Sequence, residues 1–208
     1  MDSRDLTPLP RGRHNLTRDA VEASQRLRLI VGLADAMHEQ GYADTPVAAI
    51  LDRAGVSRQT FYQLYENKLA CFLDALDLVN DVLEGQLRAG FDSQSGTPLE
   101  QAAAALGSYI DTLAENVPFA RLYIVEAHAA GTEALARRAA MQERVATAIA
   151  VLVGATSPDD RFACDCYVAA ASALVTVPVA AGDREAILAL RQPLVRQLER
   201  LAAAVGGS

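Results

Sequence analysis

Arg58, Gln59, Thr60, Tyr62 and Gln63 put hydrogen-bonding ends, and no acid, into one short stretch. These side chains can bond base edges or phosphates. An Arg guanidinium can hold guanine O6 and N7 together, and a Gln amide can hold adenine N6 and N7. That is reading chemistry, not bond-breaking chemistry. A polar exterior on an ordinary pair of core helices would have the same composition. Elsewhere there are only three His (His14, His38 and His128), and no phosphate-cradling Gly loop, nucleophile elbow or metalloprotease motif. No enzyme and no cofactor are expected.

The flanking residues supply a scaffold for that face. Thr45 suits a helix N-cap and Pro46 a first helical position. Val47, Ile50, Leu51 and Ala54 share one helical face. Gly55 fits the turn, Ser57 can cap a second helix, and Phe61 and Tyr65 point inward. Arg58, Gln59, Tyr62 and Gln63 are then left on the outside. The pattern from Thr45 to Lys68 is that of a helix-turn-helix.

Residues 27–75 resemble the DNA-binding domain of TetR/AcrR-family transcriptional regulators. The resemblance rests on an apolar first helix, Gly41-Tyr42, Thr45, Val47, Ile50, Ala54-Gly55-Val56-Ser57, Thr60, Tyr62, Tyr65 and Lys68. It implies that Thr60 and Tyr62 contact DNA, the Tyr hydroxyl on a phosphate, and that Lys68 binds phosphate at the start of the fourth helix. Thr45 would add a phosphate contact at a helix N-terminus. Three positions depart from the family pattern: Pro46 for a second Thr, Gln59 for a Gly, and Leu64 for an aromatic or His. Tyr65 takes the slot of a buried Phe and is expected in the core.

The net charge of −7 looks wrong for a DNA binder until it is divided. Residues 1–68 carry nine basic and nine acidic side chains; residues 69–208 carry ten and seventeen. The acidic excess therefore lies outside the reading half. Arg11, Arg13, Arg18, Arg26, Arg28, Arg53, Arg58 and Lys68 can form a basic face.

The fold expected is all-α, with about nine helices and three parts: an arm over 1–16, a helix-turn-helix domain over 17–67, and an effector-binding and dimerisation domain over 68–208. In the arm, Arg11 and Arg13 follow a Pro-rich stretch, either as a disordered terminus or as a minor-groove or phosphate contact. Thr17 caps a helix that Gly41 stops. Pro193 must kink or break the last helix, because it removes the bond to Ala189. The three Cys (Cys71, Cys164 and Cys166) form no disulfide framework and fit a reducing cytoplasm. Cys164 and Cys166 point about 200° apart on a helix, which speaks against a shared metal. No apolar run approaches the ~20 residues of a membrane span.

The resemblance further implies an effector pocket inside the fourth to eighth helices. Leu76, Val79, Leu83, Tyr109, Leu113, Phe119, Leu122, Met141, Val145 and Ile149 lie on apolar stripes that either line it or fill core. Tyr123, Glu126, His128 and Tyr167 are polar groups on the same segments and could orient a ligand. The family's dimer surface falls on the eighth and ninth helices, over 161–177 and 184–201. The expected protein is a cytoplasmic, homodimeric repressor, released from a palindromic double-stranded DNA operator by a small apolar or amphipathic effector. The alternative is a helical binding protein or adaptor in which the helix-turn-helix is only structural.

Overall fold

The computed structural model describes residues 17–92 and 96–205. They form helices joined by short turns, with no strand among the described residues. The reading half comprises α1 (Arg18–Asp44), α2 (Val47–Ala54) and α3 (Arg58–Leu64). The rest comprises α4 (Lys68–Asp92), α5 (Pro98–Glu115), α6 (Val117–Arg121), α7 (Ala127–Ala130), α8 (Thr132–Val153), α9 (Pro158–Ala181), α10 (Arg184–Ala189) and α11 (Arg191–Val205). A π segment, Leu122–Glu126, joins α6 to α7 without a break.

Local chemistry sets most of these boundaries. Thr17 accepts the Ala20 N–H at 3.2 Å and opens α1. Gly41, at φ 76°, bends the chain inside the last turns of α1, where a side chain would strain the backbone. Gly55 ends α2 in the left-handed region, and its N–H returns to the Leu51 carbonyl at 2.9 Å. Full capping boxes open α5 (Thr97 with Glu100) and α9 (Ser157 with Asp160). The expected break near Pro193 falls at Leu190, between α10 and α11.

Two expectations are corrected. Thr45 does not cap α2; Pro46 takes that position with no side-chain bond. Thr45 instead ends α1, 1% exposed, and its hydroxyl donates to the Gly41 carbonyl at 2.6 Å. Nor is the apolar stretch of α9 short. The helix has the length and composition of a membrane span, because its apolar residues extend well before the Ala-rich part. In the fold it packs against α8, α10, α11 and the π segment through Cys164, Ala171, Val175 and Val179.

One core runs through both halves. It joins Leu29, Leu33 and Met37 of α1, Ile50 of α2 and Phe61 of α3 to Phe72 and Leu76 of α4, and continues to Ile110, Leu122, Ile124, Val175 and Ile187. The α1 helix touches α6, the π segment and α7 as well as α2 and α4. The buried apolar seam is therefore what holds the reading helix in place relative to the remainder.

Candidate nucleic-acid interface and effector cavity

The α3 helix is short and held from three sides. Ser57 accepts the Thr60 N–H at 3.0 Å, and the two hydroxyls lie 2.9 Å apart. Phe61 is fully buried and stacks edge-on against Tyr62 and at a tilt against Tyr65. The Tyr65 hydroxyl donates to Asp74 of α4 at 2.5 Å, and Arg26 of α1 grips the same carboxylate at 2.5 and 3.2 Å. Burial and this bond push the Tyr65 phenol well above its ordinary range. Tyr65 is thus a core and tethering residue, as expected.

With those anchors in place, Arg58, Gln59, Tyr62 and Gln63 all project outward. Tyr62 is 51% exposed, and its phenol oxygen makes no hydrogen bond among the described residues. Arg58 enters no ion pair among them either. A row of exposed, uncommitted donors on one helical face is what a groove reader presents.

The wider basic face is smaller than its residue count implies. Arg26 is held by Asp74, Arg53 by Glu39, and Arg28 donates to the carbonyls of Ala54 and Gly55 at the end of α2. The last contact also suits the negative end of the helix dipole. Lys68 has two of its three donors committed within the protein. Its ammonium donates to the Tyr42 carbonyl at 2.5 Å and the Thr45 carbonyl at 2.8 Å, and sits 4.3 Å from the Tyr42 ring centre. Burial moves its pKa down. Lys68 staples α4 to the end of α1, and Thr45 is buried beneath it. Arg11 and Arg13 lie outside the described residues.

A cavity of about 140 Å³ opens between α4, α5, the π segment, α8, α9 and α11. On the same measure a single water needs roughly 10–15 Å³, so the space is of ligand size. Of the side chains expected to line it, Leu83, Tyr109, Tyr123, Met141, Val145, Ile149 and Tyr167 do so. Burial pushes the Tyr109 phenol up to about 12, against a smaller opposing pull from Arg138. Burial also raises Tyr123 and Tyr167, and the Tyr167 hydroxyl donates to the Leu194 carbonyl at 3.0 Å.

The other expected lining residues lie elsewhere. Leu76, Leu113 and Leu122 fill the core, with Val79 and Phe119 packed against it. His128 faces solvent. Glu126 is buried but points away from the cavity, toward α1. It accepts the Tyr42 N–H at 2.7 Å and Arg121 Nε at 3.0 Å, while Arg121 also donates to the Ala180 carbonyl at 2.7 Å.

Sequence reasoning missed Gln86, Gln142 and Ser172, and the small wall residues Ala102, Ala105, Ala148 and Ala171. Ala signals helix in a sequence, yet here it also leaves the room. Gln142 adjoins Met141, and Ser172 lies one turn beyond Val168, so the apolar stripes already bracket them. Cys164 is buried and Cys166 exposed, in line with their opposed directions on α9.

Residues 29–75, from α1 through α3 into α4, match the family model of bacterial regulatory proteins, tetR family. That stretch is similar to the tetR-family bacterial regulatory proteins. The rest of the chain carries the TetR fold. The fatty acid degradation regulator FadR from Bacillus halodurans superposes with a TM-score of 0.71 at 16% identity, over 82% of this chain and 96% of that one. FadR from Bacillus subtilis, solved in complex with stearoyl-CoA, gives 0.64 at 16% identity, over 83% and 96%. SCO4454, a TetR-family transcriptional regulator from Streptomyces coelicolor, gives 0.66 at 17% identity, over 88% and 97%. No curated protein sequence matches the chain.

Proposed function

We propose that this chain is a ligand-responsive transcriptional regulator, a repressor that reads a palindromic operator as a dimer and leaves it when a small amphipathic molecule fills the cavity. The observation that carries the reading is the conjunction of an outward Arg58/Gln59/Tyr62/Gln63 face with a separate, largely apolar cavity in one continuous core. An adaptor that kept the helix-turn-helix for structure alone would not need that row of exposed donors.

The dimer surface fits the exposed apolar side of α9. Phe162 is 68% exposed and Val177 75%, with Leu174 between them, and all three lie on one face of the helix. One short helix reads too few bases for useful specificity, whereas a two-fold dimer reads two half-sites. Covering this face would also leave α9 no apolar surface to offer a membrane.

Release would be a shift in population. An effector that prefers a conformation with misplaced reading helices weakens operator binding by its differential affinity. The α4 helix lines the cavity at Leu83 and Gln86 and carries the Lys68 staple. The π segment lines it at Tyr123 and carries Glu126 to Tyr42. Two levers thus run from the cavity wall to the end of α1.

The deciding experiment is selection of binding sites from random duplex DNA with the full chain, at two salt concentrations. A recovered palindrome whose affinity falls as salt rises supports the reading. Weak binding without sequence preference would overturn it.

A further inference from the structure

The cavity wall between α8 and α9 hides a positive charge that no acid answers. Arg138 is 8% exposed. Its Nη1 donates to the Ile124 carbonyl at 3.0 Å and its Nη2 to Ser172 Oγ at 2.5 Å, while Nε has no partner. The guanidinium carbon lies 5.7 Å from the Tyr123 ring centre. Unlike Arg121, Arg137, Arg144 and Arg191, it pairs with no carboxylate among the described residues. An unanswered buried charge is costly, and a ligand that brings the opposite charge relieves it.

Ser172 passes this charge into the cavity it lines. Its oxygen accepts from Arg138 Nη2 and, at 2.8 Å, from Gln142 Nε2. A hydroxyl has two acceptor lone pairs and one hydrogen. Both lone pairs are taken, so the hydrogen is left to donate elsewhere, and no protein acceptor takes it among the described residues. The hydroxyls of Tyr109 and Tyr123, on the same wall, also make no hydrogen bond there. These donors line the same cavity as Leu83, Leu106, Val145, Ile149, Leu152 and Leu198.

We propose that the cavity selects an amphipathic carboxylate: the acceptor-only headgroup takes the Ser172 hydroxyl and a tyrosine hydroxyl, Arg138 supplies the counter-charge from behind the wall, and the hydrocarbon body lies along the aliphatic side. This rests on the reading of the cavity as the effector site. A neutral alcohol of the same chain would fill the apolar part but leave the charge unanswered.

The test is calorimetric titration of the full chain with octanoate and with 1-octanol. Wild type should bind octanoate at least tenfold more tightly than octanol. Arg138→Met, which keeps length without charge, and Ser172→Ala should each bring that ratio close to one while octanol binding stays the same. Should Arg138→Met fail to fold, Ser172→Ala alone decides. Equal affinity of wild type for acid and alcohol, or an acid preference that survives in the variants, overturns the charge assignment and leaves the effector cavity standing. Binding of neither compound at millimolar concentration overturns the cavity reading itself.

Discussion

The Glu126 carboxylate accepts the backbone N–H of Tyr42 at 2.7 Å, although the two residues stand 84 apart in the chain. The bond ties the cavity-lining π segment to the bend just ahead of the helix-turn-helix. Its other oxygen takes Arg121, which in turn reaches the end of α9 through Ala180. Glu126→Ala removes a buried acceptor from two donors at once. Bonds to charged groups contribute about 1.5–3 kcal/mol each, discounted here because Arg121 is partly exposed. Denaturant unfolding should show a loss of about 2–3 kcal/mol. A loss no larger than that of an ordinary surface substitution would mean the clasp contributes nothing.

Gly32 marks the closest approach of α1 to α2. A methyl group there would stand 2.9 Å from the Ile50 carbonyl oxygen and 3.0 Å from the Ala54 nitrogen, both backbone atoms that cannot swing aside. Gly32→Ala should destabilise the fold by about 1–3 kcal/mol, despite the better helix propensity of Ala. The thermal midpoint should fall, and operator affinity with it. An unchanged or raised midpoint contradicts the packing described.

Arg58 and Lys68 make a contrasting pair. Arg58→Ala should weaken operator binding by about 1–3 kcal/mol and relax preference at one base position. Lys68→Met should act mainly through folding, since two of its three donors are held by the Tyr42 and Thr45 carbonyls. Its stability should drop while the slope of operator affinity against salt stays as in wild type. A slope reduced by about one would restore Lys68 to the phosphate contacts.

Phe162 is the large exposed apolar side chain at the start of the α9 face, 68% exposed. Phe162→Glu places a charge where two copies of α9 would meet. Sedimentation should show a monomer of unchanged helicity, and operator affinity should collapse with the second half-site. A dimer that persists would place the interface elsewhere.

Cys71 is fully buried, and burial pushes its thiol up to about 12 from an ordinary value of 9.0. A raised folded-state pKa means that the unfolded chain loses its proton first. The contribution is intact below pH 9.0 and is lost as pH climbs toward 12. Unfolding free energy should therefore decline over that window, and less steeply in Cys71→Ala. At neutral pH, iodoacetamide should leave Cys71 and Cys164 unmodified, and should take Cys166 more readily in the Phe162→Glu monomer than in the dimer that covers this face.

The reading half was legible because its residues speak locally. Gly55, Ser57 and the Phe61/Tyr65 pair act over a few positions, and the outward face is what remains. The packing of Thr45 and Lys68 was not legible, for one shared reason: their side chains bond carbonyls at Gly41, Tyr42 and Thr45, across a bend no periodicity reveals. The cavity was half legible. A stripe such as Leu76, Val79, Leu83 is uniform in sequence, and only the packing of α1 decides that Leu76 faces core and Leu83 faces space. The unanswered charge on Arg138 could not be read, since its lack of a partner is a fact about three dimensions.

The π segment has a hereditary consequence. Within five residues it presents Tyr123 to the cavity and Glu126 to Tyr42. Loss of a single codon there would close the wide turn into an α turn and rotate everything after it by about 100°. Point changes along 122–126 each cost the contacts of one side chain, whereas an insertion or deletion displaces every side chain that follows. Lineages descended from this gene should hold the length of the segment fixed.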